Sequence, residues 1–334
     1  MRVAILSPVA WRTPPRHYGP WEQMASNIAE GMVEKGVEVT MFATGDSETA
    51  GKLDAICEQG YEEDRSQDAK VLECLHISNL MEKADNFDII HNNFDFLPLT
   101  YSGLIKTPMI TTIHGFSSQR IIPVYKKYNS IGHYVSISDA DRSPELDYLA
   151  TVYNGLDTSN FKFNADPQDY LLFFGRIHPD KGTEEAIAIA KKSKRKLLIA
   201  GIVQDEGYFK SIIEPQFDGQ IVYVGSAGPE KRNELLGNAI ALLHPINFNE
   251  PFGLSVAEAM LCGTPVIAFN RGSMPELIKH EETGFLVSNV DEAVEAVGQL
   301  NQINRKVCVD WATSKFSSEK MVSDYFELYK RILG

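Results

Sequence analysis

Two doubly wound α/β domains, each on a parallel sheet, are the fold class this chain predicts, and three observations predict it. Strand-like apolar runs alternate with helix-period segments along nearly the whole sequence. The 334 residues exceed what a single core usually serves, and a hydrophobic content of 43% is ordinary for a folded globular chain. Finally, His91, His114, Asn154, Arg176 and Glu250 each follow a predicted strand at once or within a few residues, where open parallel sheets bind ligands. That placement in both halves is what a cleft between two facing sheets requires.

The first strand is read over residues 3–7. Residues 21–35 then put Trp21, Met24, Ile28 and Met32 on one helical face, and Gly36 suits the left-handed position after a helix. A strand at 37–43 completes the first βαβ unit. Further buried strands at 87–91, 109–114, 133–138 and 150–153 leave room for a crossover between each pair. After a polar, turn-rich connection at 154–169 a second series of strands follows at 170–174, 196–201, 221–224, 240–244, 264–268 and 284–287. Helices over 183–192, 229–236 and 255–261 fill its gaps. The tail, 317–333, carries Met321, Tyr325, Leu328 and Ile332 at helical spacing and should dock its apolar stripe on a domain face. Domains are therefore expected at 1–155 and 156–316, with a docking helix at 317–334.

Charge and composition exclude several functions. A formal net charge of −13 repels phosphate backbones and anionic bilayers, so nucleic acid is not an expected partner and membrane contact is disfavoured. The dense basic run of Lys191, Lys192, Lys194, Arg195 and Lys196 sits where a helix should end, and reads as a solvated C-terminus favoured by the dipole. Cys57, Cys74, Cys262 and Cys308 are scattered, without the spacing of a zinc site or redox pair. The apolar start breaks at Pro8, short of a signal sequence, and no later segment is apolar enough to span a bilayer. A soluble, cytoplasmic protein is expected.

The most informative stretch is 249–265. Glu250 stands just ahead of a glycine-containing turn, and Glu258 eight positions later on a helix. Carboxylates accept hydrogen bonds from sugar hydroxyls, and the free amides of Phe252, Gly253 and Leu254 at a helix start attract anionic oxygens. The bland alternatives are a dipole-favoured acid at Glu250 and a surface residue at Glu258. Upstream, Arg176 and Lys181 follow a strand and precede a helix, where a planar fork and a mobile ammonium could together neutralise a diphosphate. Otherwise they are two solvated loop charges.

In the first half, residues 14–22 join the first strand to the first helix. Gly19 is the residue there that permits close ligand approach, while Pro20 lacks an amide hydrogen and suits a first helical turn. Trp11, Arg12, Arg16, His17 and Tyr18 either line an acceptor pocket or form an exposed loop. His114, at a strand end, either contacts the reacting sugar or the acceptor, or is structural; His91 and Asp95 are weaker candidates. Asp139 and Asp141 match a metal-binding D-x-D pattern but read as a helix start. Residues 45–52 resemble a P-loop with one residue too many, and no G-x-G-x-x-G follows the first strand.

These motifs resemble the family 4 retaining glycosyltransferases of GT-B fold, with two facing Rossmann-like domains. The resemblance rests on residues 154–157 (NGLD), 174–176 (FGR), Lys181 and Gly182, the E-x7-E pair Glu250 and Glu258, residues 263–266 (GTPV), and Pro275 with Glu276. It implies that Arg176 and Lys181 hold the diphosphate, Glu250 the donor hexose and Glu258 the ribose, with His114 near the reaction centre. It also implies an acceptor-side first domain and a donor-binding second one. The substrates would be a nucleoside diphosphate sugar, UDP favoured over GDP by family frequency, and a small-molecule or glycan acceptor; no cofactor or metal is implied. Pro20 stands where the family has the second glycine of a GlyGly loop, and Ser273 replaces another frequent glycine. An epimerase of the same fold, or a non-catalytic nucleotide-sugar-binding partner, remains an alternative.

Overall fold

The structure is a computed structural model that describes residues 1–16, 18–116 and 118–334. The chain divides into two compact units, Met1–Gly155 with Ser318–Gly334, and Leu156–Ser317. Each carries a parallel, Rossmann-like sheet, as the alternating pattern predicts.

In the first unit, β1 (Arg2–Leu6), β2 (Glu38–Phe42), β3 (Lys52–Asp54), β4 (Ile89–Asn92), β5 (Met109–Ile113), β6 (His133–Ser136) and β7 (Tyr148–Thr151) pair in the order β3-β2-β1-β4-β5-β6-β7. Every residue of β4 and β5 is buried, His91, Asn92, Thr111 and Thr112 included, as expected for central strands of a parallel sheet. The helices are α1 (Pro20–Glu34), α2 (Ala69–Met81) and α3 (Ile122–Tyr128). Pro20 does begin α1, and Gly36 takes a positive φ just beyond its end. Strand β3, α2 and α3 escape sequence reading, the first two for evident physical reasons. Strand β3 is three residues on the sheet edge with little burial, and α2 exposes Val71 and Leu75 while burying Leu72, Ile77 and Leu80, which blurs its stripe. Asp139 and Asp141 lie in a turn and not at a helix start.

Glu22, in the first turn of α1, is almost fully buried. Burial pushes its carboxyl up to about 7 against the opposing hydrogen bonds from its own and the Trp11 backbone amides. At Gly19, whose φ is +153°, a Cβ would lie 2.9 Å from the Pro15 Cβ and 2.8 Å from Glu22 Oε2, and this backbone conformation favours glycine.

The second unit repeats the architecture with β8 (Leu171–Phe174), β9 (Leu197–Ala200), β10 (Ile221–Tyr223), β11 (Ala241–His244), β12 (Val266–Phe269) and β13 (Gly284–Val287), ordered β10-β9-β8-β11-β12-β13. Its helices are α4 (Thr183–Ser193), the short α5 (Glu206–Tyr208), α6 (Pro229–Asn238), α7 (Leu254–Leu261), α8 (Met274–Leu277), α9 (Val290–Gly298) and α10 (Arg305–Phe316). Helix α4 starts with Glu184 and Glu185 and ends with Lys191 and Lys192, matching its dipole. The basic run is partly paired, Lys192 with Asp291 and Arg195 with Asp169.

The C-terminal α11 (Ser318–Leu333) returns to the first unit and packs on α1. A Cβ at Gly31 would approach Val322 to 2.4 Å, so this glycine lets the two helices meet closely. Met321, Tyr325 and Leu328 are buried as their spacing predicts, whereas Ile332 is half-buried and Tyr329 joins the core instead. Tyr329 Oη lies 2.6 Å from His91 Nδ1, and Thr112 Oγ1 lies 2.7 Å from both His91 Nε2 and Tyr325 Oη. His91 is thus a buried structural histidine. Burial lowers its pKa to about 3 and keeps it neutral. Among the described residues no helix is long and apolar enough to cross a membrane.

Tyr329→Phe should cost about 1–3 kcal/mol, because it leaves a buried imidazole nitrogen unmatched; urea denaturation at neutral pH reads it. Glu22 adds a pH dependence. A carboxyl whose folded pKa is raised from 4.5 to about 7 gives its full stabilisation below about 4.5 and loses it as pH rises through 7. Glu22→Gln does not titrate, so between those limits it should gain roughly 3 kcal/mol on the parent. Denaturation curves of both at pH 4.5 and 8 with an unchanged difference would refute this.

Candidate functional site

In the second unit the strand order reverses direction between β8 and β11, and ligands of such sheets bind beyond the carboxyl ends at this point. The chain leaving β8 forms a tight turn at Pro179–Lys181 and enters α4 through Gly182; the chain leaving β11 runs through Glu250 to α7. These segments meet backbone to backbone. A Cβ at Gly182, whose φ is +74°, would lie 1.8 Å from the Pro245 carbonyl oxygen. Asn247 stitches them further, its backbone N–H donating to the Asp180 carbonyl at 2.7 Å and its side-chain amide to Glu185 Oε1 at 2.8 Å.

This packing brings Lys181 and Glu250 together. Lys181 Nζ lies 2.5 Å from Glu250 Oε2, with the side chains only 14% and 13% exposed, and 4.6 Å over the Phe248 ring. His244 Nε2 approaches the same carboxylate oxygen to 3.7 Å. Burial by itself would raise the Glu250 pKa, but the His244 imidazole and the Lys181 ammonium outweigh it and hold the carboxyl at about 2. From the other side, the Ser273 N–H donates to the Glu250 carbonyl at 3.0 Å, and Ser273 Oγ donates to the Phe252 carbonyl at 2.6 Å. The serine at this position thus supplies a bond that a glycine could not.

Helix α7 starts at Leu254, one residue earlier than the spacing predicts, with Gly253 in the left-handed conformation before it. Val256 and Ala257 donate their backbone N–H groups to the Gly253 carbonyl, while the Leu254 and Ser255 amides have no intrahelical acceptor. The Phe252 ring belongs to the core, edge-on to Phe316 at 5.6 Å. Glu258 is the fifth residue of α7, about one turn in, and it is buried, which sets aside the surface reading. Its Oε1 lies 2.9 Å from Arg232 Nη1 of α6, whose guanidinium covers the Phe161 ring at 5.1 Å. Burial raises the Glu258 carboxyl to about 7 despite the opposing Arg232 charge. Arg176 stands apart from both acids in its bonding, for its Nη1 donates to Gln204 Oε1 in the segment after β9.

In the first unit, His114 follows β5. Its Nε2 is 3.1 Å from Asn93 Oδ1, and its ring stacks on Trp21 at 5.8 Å. Part of its surface stays accessible, yet burial lowers the ring pKa to about 3, so a neutral imidazole is presented. The loop after β1 is less free than its sequence suggests. Arg12 pairs with Glu48 at 3.0 Å, and Arg16 with Asp46 and Glu63 at 3.0 and 2.7 Å. Tyr18 is exposed and Trp11 half-buried, while His17 lies outside the described residues. Asp95 takes a positive φ and accepts a hydrogen bond from Tyr125 Oη.

Sequence reasoning missed His244, Arg232, Gln204 and Asn93. His244 and Asn93 carried a faint signal, as each sits at or just after the end of a strand flanking a switch point; Arg232 and Gln204 carried none. Among the described residues no group of three or more His, Cys, Asp and Glu side chains is arranged to hold a metal ion.

Residues 157–312 match the family described as glycosyl transferases group 1. The N-acetyl-alpha-D-glucosaminyl L-malate synthase of Bacillus anthracis is 34% identical over 295 residues, covering 75% of this chain and 76% of that protein. Among solved structures, sucrose-phosphate synthase from Thermosynechococcus elongatus superposes with a TM-score of 0.80 at 18% identity, covering 99% of each chain. HepE of Anabaena, in complex with UDP and glucose, gives 0.72 at 17% identity, also covering 99% of each. With its two Rossmann-like units and this kinship, the chain belongs to the glycosyl transferases group 1 family and is a glycosyltransferase of GT-B fold.

Proposed function

We propose that this enzyme transfers a hexose, with retention of anomeric configuration, from a nucleoside diphosphate sugar to a hydroxyl acceptor, as a family 4 member working without a catalytic metal. The observation that carries the reading is the Lys181–Glu250 pair at the β8/β11 switch point, beside the start of α7. An ammonium suits the diphosphate, an ionised carboxylate suits hexose hydroxyls, and the first amides of α7 suit anionic oxygens. Glu258 is assigned to the ribose. UDP is the favoured nucleotide, supported by the complex of HepE with UDP and glucose. The acceptor is assigned to the first unit, with His114 as a neutral hydrogen-bonding group near the reaction centre and Trp11, Arg12, Arg16 and Tyr18 as lining, while Gly19 is assigned to the donor.

In the reaction so assigned, the acceptor oxygen bonds to the anomeric carbon on the face from which the diphosphate departs. The acceptor proton passes to the leaving phosphate. Negative charge grows on that phosphate, where Lys181 and Arg176 are assigned to meet it. For Arg176 this requires giving up Gln204 for the ligand, a small exchange for an exposed-side hydrogen bond.

Arg176→Ala should cost roughly 2.7–4 kcal/mol of transition-state stabilisation, read as kcat/KM, by analogy with losing a preorganised donor. A combined Arg176→Ala, Lys181→Ala variant with near-parental transfer would overturn the assignment. Thermal-shift measurements with UDP-, GDP- and ADP-sugars should give the largest rise with a UDP-sugar, since ligands of the native state stabilise it. Transfer should survive EDTA; strict magnesium dependence would return attention to Asp139 and Asp141.

A further inference from the structure

The second-unit site contains an imidazole nitrogen that, among the described residues, stops just short of its nearest acceptor. His244 is 6% exposed, and its Nε2 has no hydrogen-bond partner among the described residues. A buried polar atom left unmatched is costly, so an orphan at a binding site points to a partner that arrives later. It lies 3.7 Å from Glu250 Oε2, just outside hydrogen-bonding range, and that oxygen is already engaged by Lys181 Nζ. The charged or titratable groups meeting this carboxylate are therefore Lys181, from the turn before α4, and His244, from the end of β11; the Ser273 segment contributes backbone.

On the reading proposed above, this resting arrangement cannot persist once the donor binds. Lys181 is assigned to the diphosphate and Glu250 to the sugar, yet here they neutralise each other. A diphosphate competes for the ammonium, and as Lys181 moves to it the enclosed carboxylate loses its cation. Leaving a buried carboxylate unpaired costs far more than leaving one in water. A sub-ångström approach of the imidazole would close the gap to Oε2.

We propose that His244 is a positioning residue that replaces Lys181 as the partner of Glu250 Oε2 when a nucleoside diphosphate sugar binds, releasing Lys181 to the diphosphate and leaving Oε1 for the hexose. The inference rests on the donor reading and deepens it. Each movement is local to one site, and no bond is made or broken beyond hydrogen bonds and ion pairs.

The test is a coupling cycle read by calorimetric titration with UDP-glucose on the full chain: parent, His244→Phe, Glu250→Gln, and the double variant. His244→Phe should weaken binding about tenfold in the parent background, and change it by less than about twofold when Glu250 is already glutamine, since residues acting through one another are not additive. Losses that multiply independently would mean that His244 only packs, and would overturn the exchange. Should His244→Phe fail to fold, His244→Asn is read in the same cycle by the same criterion. A spectroscopic signature accompanies it: the His244 Nε2 nitrogen resonance should move when UDP-glucose saturates the parent and stay in place in Glu250→Gln. Movement of equal size in both would also overturn the exchange. A parent that binds none of UDP-, GDP- and ADP-glucose would instead remove the donor reading itself, and this inference with it.

Discussion

A nearly buried ammonium and carboxylate, held in contact by two loops whose backbones touch, is the constraint around which the second unit is arranged. Such a pair is poor at stabilising a fold, since removing each ion from water costs several kcal/mol and the mutual attraction repays this only with excellent geometry. Here the geometry is imposed from outside the pair. Gly182 against Pro245, Asn247 against Asp180 and Ser273 against Glu250 are all contacts of backbone, indifferent to the charges they position. Their effect is to keep Lys181 and Glu250 together whether or not the pair favours folding. Perturbed groups in such a setting mark sites of chemistry more often than sites of packing.

The sequence carried the parts of this arrangement that depend on period and spacing. Short, largely apolar or β-branched runs betrayed β4, β5, β11 and β12, and each of these strands is buried throughout. Edge strand β3 has too few buried residues to leave a mark, and α2 mixes exposed and buried apolar side chains. Lys181, Glu250 and Glu258 were legible because they stand at distinctive positions around turns and a helix start. What spacing cannot convey is which partner each takes. Arg176 was grouped with Lys181 by proximity along the chain, yet Lys181 meets Glu250 across 69 positions while Arg176 meets Gln204. His244 was hidden for a related reason: at the end of a buried strand, a site histidine and a core histidine look alike until the opposite loop is in place. His91 shows the converse, for it also ends near a strand terminus and is wholly absorbed in packing with Thr112 and Tyr329.

Environment also separates two carboxylates that composition would treat as equals. Glu250 and Glu258 are both enclosed, and burial pushes both upward. Glu250 meets an ammonium and an imidazole and ends at about 2; Glu258 meets one guanidinium, itself spread over an aromatic ring, and ends at about 7. Two acids driven apart in this way are suited to different tasks. On the proposed reading, Glu250 is a permanent acceptor beside the hexose, where a fixed negative charge can orient hydroxyls and favour positive character at the anomeric carbon. Glu258, balanced between its forms near neutrality, can accept from a ribose hydroxyl without adding a full charge repelled by the diphosphate. A second fully ionised carboxylate there would work against the binding that Lys181 promotes. The eight-residue spacing sets where the two acids stand, but the cations brought beside them by other strands and helices decide what each can do.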